Sequence, residues 1–267
     1  MRIASWLTAA LAGLLLAGCA GMQPAAPSAE VRAALAPSGT LRVAFVTALI
    51  YASKDPATGE LKGMAVDMGR ELARRAGLAF HPVAYSGFPA LIAGAKSGEW
   101  DVAFAGVTPE RAAVIDYAEP YMVIEQGYLV RAGVRASTMD DVDVAGLRVG
   151  VIEKGAADGL LSRTLKNATL VRAASITELY GLIGSGKADV IATGKTGLYT
   201  VAEKEPGSRV LDGRLLVETA AMGVPKGRNP AGVAYLTRFT EEAKAEGLVQ
   251  QAIERARLRG VSVAPGK

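Results

Sequence analysis

One short segment of the chain combines residue types that could bind an anion. Thr108 can cap a helix, Pro109 suits its first position, and Glu110 suits the positive end of its dipole. Free backbone N–H groups at such a helix start, together with the Arg111 guanidinium, would form a fork for a carboxylate or a similar planar anion. The alternative is a capped helix in which Arg111 pairs with Glu110, Asp116 or solvent. The spacing alone leaves both interpretations open.

The elements around this segment follow an alternating pattern. Short β-like runs alternate with helical periodicity, which predicts an α/β fold. Apolar residues recur every four positions from Met64 to Ala76, and Ser175 and Glu178 form a capping-box pattern ahead of a second helix. The predicted strands cover residues 41–46, 101–105, 147–151 and 189–192.

An internal echo is the most informative pattern in the chain. Residues 97–106 match residues 185–194 at Ser, Gly, Asp, Val and the final Gly, and a Leu-Arg-Val run precedes each copy, at 41–43 and at 147–149. Two such copies suit a pair of similar lobes, although chance similarity between short βα signals is the alternative. Ligands of open α/β sheets lie beyond the carboxyl ends of strands. We therefore expect a cleft between Gly106 and Gly194.

The N-terminal residues are typical of an export signal. Met1 and Arg2 precede an apolar run from Leu7 to Leu16, and small residues and Cys19 follow. Leu16 to Cys19 resembles the signal of bacterial lipoproteins, in which the cysteine carries the lipid, whereas an ordinary signal with an incidental cysteine is the alternative. We predict a signal over 1–18, lipidation of Cys19 and a flexible tether over 19–37.

Composition excludes several classes of function. The net charge of +4 is small and the basic residues are scattered, so nucleic acid is not an expected partner. One histidine, His81, and one cysteine provide neither a metal cluster nor a disulfide, and a Ser-His-Asp triad would depend on His81 alone. Residues 181–188 approach a phosphate-loop pattern but lack its Ser/Thr and its strand-loop-helix order. We expect neither a metal nor a cofactor, and no catalytic residues.

Three segments then carry a resemblance to a known family. Residues 59–68, 106–121 and 223–227, in this order along the chain, resemble motifs of the family 3 extracellular solute-binding proteins, which are polar amino-acid receptors of ABC importers. The resemblance covers roughly residues 38–260. It implies the two-lobed periplasmic-binding-protein fold, in which each lobe has a central sheet flanked by helices and two hinge strands join the lobes. The implied boundaries are 38–130 plus 221–260 for lobe 1, 131–220 for lobe 2 and 261–267 for a tail, with hinge crossings near 127–131 and 220–225.

The resemblance also implies a set of ligand-binding residues. Arg111 would bind a ligand carboxylate, and Thr108 and the Gly106 backbone would add hydrogen bonds. Two departures concern the second lobe: the family's acidic residue for a ligand ammonium aligns with Gly194, and a Gly-Thr pair becomes Gly155-Ala156. A buried ammonium without a counter-charge is costly, so a specificity different from that of ordinary amino-acid receptors is expected. The remaining expected contacts are Tyr51 and Tyr85 as aromatic walls and Thr193 beside Gly194.

These features predict a monomeric, lipid-anchored receptor on the outer side of a membrane. It would bind an amino-acid-like or carboxylate-bearing solute and present it to an ABC transporter permease. A periplasmic dehydratase of the cyclohexadienyl dehydratase type is one alternative, although the residues 155–158 lack the Gly-Thr and glutamate of that branch. A protein that reports its ligand to a membrane sensor is another.

Overall fold

A computed structural model describes residues 26–266, so the predicted signal and Cys19 lie outside the described residues. The fold is mixed α/β, and most of its strands join one twisted sheet in the order β4-β1-β5-β11-β6-β9-β7-β8, with β10 and β12 also on β6 and β2-β3 as a separate hairpin. The strands are β1 (Thr40–Val46), β2 (Ser53–Lys54), β3 (Leu61–Lys62), β4 (Ala79–Tyr85), β5 (Val102–Gly106), β6 (Ile115–Val130), β7 (Arg148–Ile152), β8 (Thr169–Ala173), β9 (Val190–Gly194), β10 (Arg209–Val210), β11 (Leu216–Pro225) and β12 (Val261–Val263).

Two helices lie where the sequence patterns predict them. The apolar repeat from Met64 to Ala76 forms one helix over the same residues, and Ser175 caps another by accepting a hydrogen bond from the Glu178 N–H at 3.1 Å. The helices are α1 (Ala29–Leu35), α2 (Met64–Ala76), α3 (Phe88–Ser97), α4 (Pro109–Ala112), α5 (Ala156–Thr164), α6 (Ile176–Gly184), α7 (Lys195–Ala202), α8 (Pro230–Ala245) and α9 (Leu248–Arg255), with a 3₁₀ turn at Asp140–Val142.

Two groups of parallel strands stand at opposite ends of the sheet. The first strand group consists of β4, β1 and β5, and the second consists of β9, β7 and β8. The antiparallel strands β11 and β6 lie between the groups: β11 pairs with β5, β6 pairs with β9, and the two pair with each other. Every path through the sheet from one group to the other therefore passes along β6 and β11, which we call the bridging strands.

The bridging strands meet the two groups at defined registers. Gly106 is opposite Ala220 of β11, and Gly194 is opposite Gln126 of β6. Between these points the β6-β11 ladder contains register shifts around Ala221. The pairing of β6 with the second group runs from Gln126 to Val130, next to the first hinge crossing predicted near 127–131.

The internal echo corresponds to two equivalent strand pairs. In each group the Leu-Arg-Val strand pairs in parallel with the Asp-Val strand, with Val43 opposite Val102 and Val149 opposite Val190. The Asp of each echo accepts hydrogen bonds from the arginine of the paired strand. Arg42 donates Nε, Nη2 and its backbone N–H to Asp101, and Arg148 donates the same three groups to Asp189.

Apolar side chains pack on both faces of the sheet. One cluster joins β1 and β5 to α2, α8 and α9, with Phe45, Leu72 and Phe239 among its buried members. A smaller cluster lies under α5, with Val149, Val151 and Leu161. A further cluster contains residues of both strand groups, among them Phe88, Trp100, Ile152, Leu179 and Ile191. The two groups therefore share apolar contacts as well as the bridging strands.

The structure differs from the sequence-based boundaries at both ends. Within the predicted tether, α1 packs on α8 and fully buries Leu35, because its last turn is apolar and Ser28 caps its start. Within the predicted tail, β12 pairs with β6, with Val261 opposite Ile124. Both segments are parts of the fold. Among residues 26–266, no helix is both long enough and apolar enough to cross a bilayer.

Candidate functional site

The predicted helix start at Thr108 forms a single turn that positions Arg111. Thr108 is extended and its hydroxyl accepts a hydrogen bond from the Arg111 N–H at 3.4 Å, while Pro109 begins α4. This turn follows the carboxyl end of β5 directly and points the Arg111 side chain back over that end. Arg111 is fully buried, which is rare for an arginine unless it has partners.

Protein groups accept hydrogen bonds from all three nitrogens of the Arg111 guanidinium. Nε donates to the Gly106 carbonyl at 2.6 Å and Nη1 donates to the Lys154 carbonyl at 3.2 Å. Nη2 donates to Glu218 Oε1 at 2.7 Å, and the guanidinium carbon lies 4.1 Å from the centre of the Phe88 ring. The guanidinium is therefore paired within the protein, and its binding of an anion stays a prediction. Of the pairing alternatives considered from sequence, neither Glu110 nor Asp116 is the partner, since that position belongs to Glu218.

Glu218 is a buried carboxylate on a bridging strand. Its Oε1 accepts from Arg111 and its Oε2 accepts from Gln126 Nε2 at 2.6 Å. Burial raises the pKa of Glu218, while Arg111 and Gln126 act against that rise. A Cβ at residue 106 would overlap Glu218 Oε1, so only glycine at the end of β5 permits this approach. The carboxylate therefore lies against the very strand end at which a ligand is expected.

The two candidate aromatic walls lie in different places. Tyr51 is 2% exposed and its pKa is raised, first by burial and then by the charge of Glu218, which places it near the Arg111–Glu218 pair. Tyr85 instead donates its hydroxyl to Glu99 at 2.8 Å, away from Arg111. Tyr117 lies beside the pair, because its hydroxyl donates to the Gly106 carbonyl at 3.2 Å, and burial raises its pKa to about 12.

The candidate residues of the second strand group lie at the ends of β7 and β9. Gly155 precedes α5 and Ala156 begins it, directly after Lys154, whose carbonyl accepts from Arg111. Thr193 and Gly194 end β9, and α7 begins at Lys195. Lys195 pairs with Glu125 at 2.9 Å. The end of β7 thus contacts Arg111 directly. The end of β9 is linked to Glu218 only indirectly, because Gly194 pairs in the sheet with Gln126, whose side chain donates to Glu218.

Direct contacts join the two strand groups around this site. Besides the bond from Arg111 to Lys154, the Gly87 backbone packs so closely on the Ala174 carbonyl that a Cβ there would overlap it. Phe88, which lies over Arg111, belongs to the apolar cluster that includes Ile152 and Ala173 of the second group. The two strand groups are therefore in direct contact beside Arg111.

A separate cavity of about 700 Å³ lies between α2 and α9 on one side and α7 on the other. Tyr199 and Thr196 form its wall on the α7 side, and Arg259 stacks on the Tyr199 ring with its guanidinium carbon 3.5 Å from the ring centre. Neither Arg111 nor Glu218 lines this cavity. Among the residues described, no group of three or more His, Cys, Asp or Glu could hold a metal ion.

The sequence-based prediction of site residues did not include four side chains of the Arg111 environment: Phe88, Tyr117, Gln126 and Glu218. Phe88 follows a Ser-Gly pair and is the first apolar residue of a helical pattern, and Gln126 lies in a long strand of mixed apolar and polar residues. Glu218 carried the clearest signal, because it is the one acidic residue in the otherwise apolar run from Leu216 to Pro225. A charge in a predicted buried strand is unexpected unless it has a partner, and Arg111 was the unpaired candidate.

Comparisons with known proteins agree with this fold. The chain matches the bacterial extracellular solute-binding proteins, family 3, over residues 41–256. It is 30% identical over 176 residues to a probable histidine-binding protein of Neisseria gonorrhoeae, and the match spans 62% of this chain and only 62% of that relative. It is 23% identical over 246 residues to a glutamine-binding protein of Geobacillus stearothermophilus, across 83% of this chain and 92% of the relative.

A solved structure shows the same architecture. The solute receptor for L-cysteine of Neisseria gonorrhoeae superposes with a TM-score of 0.76 at 22% identity, covering 89% of this chain and all of the receptor. At that identity the superposition shows the shared fold alone. The family match, by contrast, covers most of the chain and includes both strand groups and both bridging strands. The chain therefore belongs to the bacterial extracellular solute-binding proteins of family 3, a family of binding proteins and not of enzymes.

Proposed function

We propose that this chain is the amino-acid-binding component of an ABC importer and binds its solute between the two strand groups. In this proposal the groups act as lobes, with residues 38–130 and 221–260 in one and 131–220 in the other. The bridging strands form the hinge about which the lobes open and close. Closure would retain the solute, and the closed form would be presented to the permease.

One observation carries the proposal, namely the position of Arg111 between the groups. Its guanidinium donates hydrogen bonds to both sides, to the Gly106 carbonyl of the first group and to the Lys154 carbonyl of the second. A ligand carboxylate bound there would contact both lobes at once, so binding would favour closure. The similar proteins, a probable histidine-binding protein, a glutamine-binding protein and an L-cysteine receptor, support an amino acid as the class of ligand.

The remaining candidate residues would surround that ligand. We propose that Thr108 and the Gly106 backbone bind it from the first lobe, with Tyr51 as the nearby aromatic surface. From the second lobe, the start of α5 at Gly155 and Ala156 would present backbone N–H groups to an anion. Thr193 and Gly194 would border the ligand at the end of β9. Tyr85 is not part of this proposal, because its hydroxyl is engaged with Glu99.

The location follows from the family and from the N-terminal residues. The chain belongs to an extracellular family, and we propose that lipid on Cys19 anchors it to a membrane. Metabolic labelling with a radioactive fatty acid tests the anchor: the wild-type protein should be labelled and Cys19→Ser should not. Labelling of the variant, or of neither protein, would remove the anchor from the proposal.

Binding titrations test the central proposal. The purified protein is titrated calorimetrically with L-histidine, L-glutamine and L-cysteine, and at least one should bind with one site per chain. Arg111→Lys keeps the charge but loses the fork, so affinity should fall about 10-fold or more. Arg238→Met, a change at an exposed arginine of α8, is the control and should bind like the wild type. Absence of binding by all three, or full affinity in Arg111→Lys, would contradict the proposal.

A further inference from the structure

Glu218 occupies a place in the site that neither the family motifs nor the expected ligand contacts explain. It is the only buried glutamate among the described residues. Its two carboxylate oxygens accept hydrogen bonds from Arg111 and from Gln126. Oε1 is 2.7 Å from Arg111, which lies over Gly106, and Oε2 is 2.6 Å from Gln126. Gln126 is in turn the β-sheet partner of Gly194. The carboxylate therefore lies between the two strand ends that should border the ligand.

The second strand end lacks the charge that an amino-acid ligand needs. Gly194 has no side chain, Thr193 is neutral, and Lys195 is a cation that pairs with Glu125. A buried ammonium without a carboxylate nearby is strongly disfavoured. Among the residues described around Arg111, Glu218 is the carboxylate that is already desolvated and already oriented. Its position thus supplies the negative charge that the β9 end lacks.

We propose that Glu218 is the acceptor for the α-ammonium group of an amino-acid ligand. The inference rests on the proposed function, since it assigns the second charged contact of the same site. Without ligand, Arg111 and Glu218 neutralise each other. When an amino acid enters the opened site, its carboxylate takes the place of Glu218 at Arg111 and its ammonium donates to Glu218. One buried ion pair is exchanged for two, and no charge is left unpaired.

The positions of Glu218 and Gln126 in the fold make this exchange of partners feasible. Glu218 and Gln126 lie on β11 and β6, the bridging strands, whereas Lys154 and Phe88 belong to segments that would separate on opening. Gln126 acts as a positioning residue, because its amide donates to Oε2 and holds the carboxylate between the strand ends. The absent side chain at Gly106 leaves the space through which Glu218 reaches Arg111.

The assignment predicts that the protein binds amino acids more tightly than the same acids without the amino group, and that this preference depends on residue 218. Calorimetry compares three pairs of probes: L-histidine with 3-(imidazol-4-yl)propanoate, L-glutamine with 4-carbamoylbutanoate, and L-cysteine with 3-mercaptopropanoate. The second member of each pair lacks only the amino group. The wild-type protein should bind an amino acid at least about 30-fold more tightly than its deaminated partner.

The isosteric variant Glu218→Gln should abolish that preference. The amino acid should lose about 30-fold or more in affinity, whereas the deaminated acid should bind as tightly as before or more tightly, because Arg111 is no longer paired. Glu125→Gln on the neighbouring strand is the matched control, since it removes a partly exposed carboxylate that pairs with Lys195 and not with Arg111. It should keep the wild-type preference.

A rescue separates a role in binding from a role in folding. At Gly194 the backbone has ordinary dihedral angles and a new Cβ would meet only Ile124, 3.3 Å away. Glu218→Gln combined with Gly194→Asp should therefore recover at least about 10-fold of the lost amino-acid affinity. If Glu218→Gln does not fold, by circular dichroism, the preference of the wild-type protein for the amino group and its reduction in Glu218→Asp decide the question.

Three results would overturn the assignment while leaving the proposed function intact. One is an amino acid that binds Glu218→Gln as tightly as the wild type. The other is tighter binding of both members of a pair to Glu218→Gln, which would make Glu218 a competitor of the ligand and not its partner. Equal binding of both members to the wild-type protein would also overturn it. Failure of all three amino acids to bind would instead refute the proposed function and the assignment together.

Discussion

The two copies of the internal echo are alike at one end of their strands and different at the other. At the amino ends, Arg42 binds Asp101 and Arg148 binds Asp189 through the same three donors, with Nε distances of 2.8 and 2.9 Å. A further arginine reaches each aspartate, Arg228 in the first copy at 3.0 Å and Arg131 in the second at 2.9 Å. These ion pairs tie the two strands of each pair together at their start.

At the carboxyl ends the resemblance stops. The Gly106 end is covered by Arg111, Glu218 and Tyr117, which are buried or half-buried and hydrogen-bonded to one another or to the backbone. The Gly194 end is followed by α7, and its nearest charged residue, Lys195, pairs with Glu125. The amino-end ion pairs therefore stabilise the fold of each copy alike, whereas the charged groups of the candidate site, Arg111 and Glu218, gather only at the carboxyl end of the first copy.

Removal of the aspartates should have the largest effect, and it should be unequal. The Asp101 side chain is fully buried, while that of Asp189 is 10% exposed and its arginine partners are more open to solvent. We expect Asp101→Ala to lower the free energy of unfolding by about 3 to 5 kcal/mol and Asp189→Ala by about 1 to 2 kcal/mol. Urea unfolding of both variants measures the difference. Equal losses would show that the two pairs contribute alike to stability.

The second-largest effect is expected from adding a methyl group at the carboxyl end of each copy, because the cost in stability should differ between the two ends. A Cβ at residue 106 overlaps Glu218 Oε1, whereas a Cβ at residue 194 meets only Ile124 at 3.3 Å. Gly106→Ala should therefore cost about 2 to 4 kcal/mol, because it displaces a buried carboxylate from Arg111. Gly194→Ala should stay within about 1 kcal/mol of the wild type. The same urea experiment compares them, and a larger cost at 194 than at 106 would contradict the contrast.

Acid should reveal the contribution of the second aspartate. The hydrogen bonds from Arg148 lower the pKa of Asp189 to about 2, below the value of about 4 expected in the unfolded chain. A lowered folded-state pKa stabilises the fold above the unfolded-state pKa, and this contribution is lost as pH falls from about 4 to about 2. Asp189→Asn should therefore show a weaker decline in stability than the wild type across that window, measured by urea midpoints at successive pH values. An unchanged decline would exclude Asp189 as a source.

The smallest effect is expected at the end of β7. Lys154 has a left-handed backbone with φ of 57°, and its carbonyl accepts from Arg111. Lys154→Gly removes the cost of a side chain in this conformation and keeps the carbonyl, so stability should rise by up to about 1 kcal/mol. Thermal unfolding measures this change. A loss of stability would show that the Lys154 side chain makes a contribution of its own at this strand end.

Sequence patterns predicted the repeated part of the fold better than its junctions. The echo located β5 and β9, the four-residue periodicity located α2, and the capping pattern located α6, since each depends on local residue types. The tether and tail predictions missed α1 and β12, whose order comes from packing on α8 and pairing with β6. Contacts between residues far apart in the chain leave little local signal.

The residues of the candidate site likewise fall into those with a local sequence signal and those without one. Thr108 and Arg111 were found because capping and charge are local features, and the structure adds that α4 is a single turn. Glu218 lies 107 positions from Arg111 in the chain, so no spacing could connect the two. The missing charge at Gly194 was visible in the sequence, whereas the carboxylate placed between the two strand ends was not. That placement depends on the antiparallel pairing of β6 with β11.

A crystal structure of the protein with its tightest-binding amino acid would test the central claim most directly. The account predicts that the ligand carboxylate lies on Arg111, that its ammonium lies within hydrogen-bonding distance of Glu218, and that Lys154 borders it from the second strand group. A ligand found in the 700 Å³ cavity beside Tyr199 and Arg259, with the Arg111–Glu218 pair intact, would contradict the account.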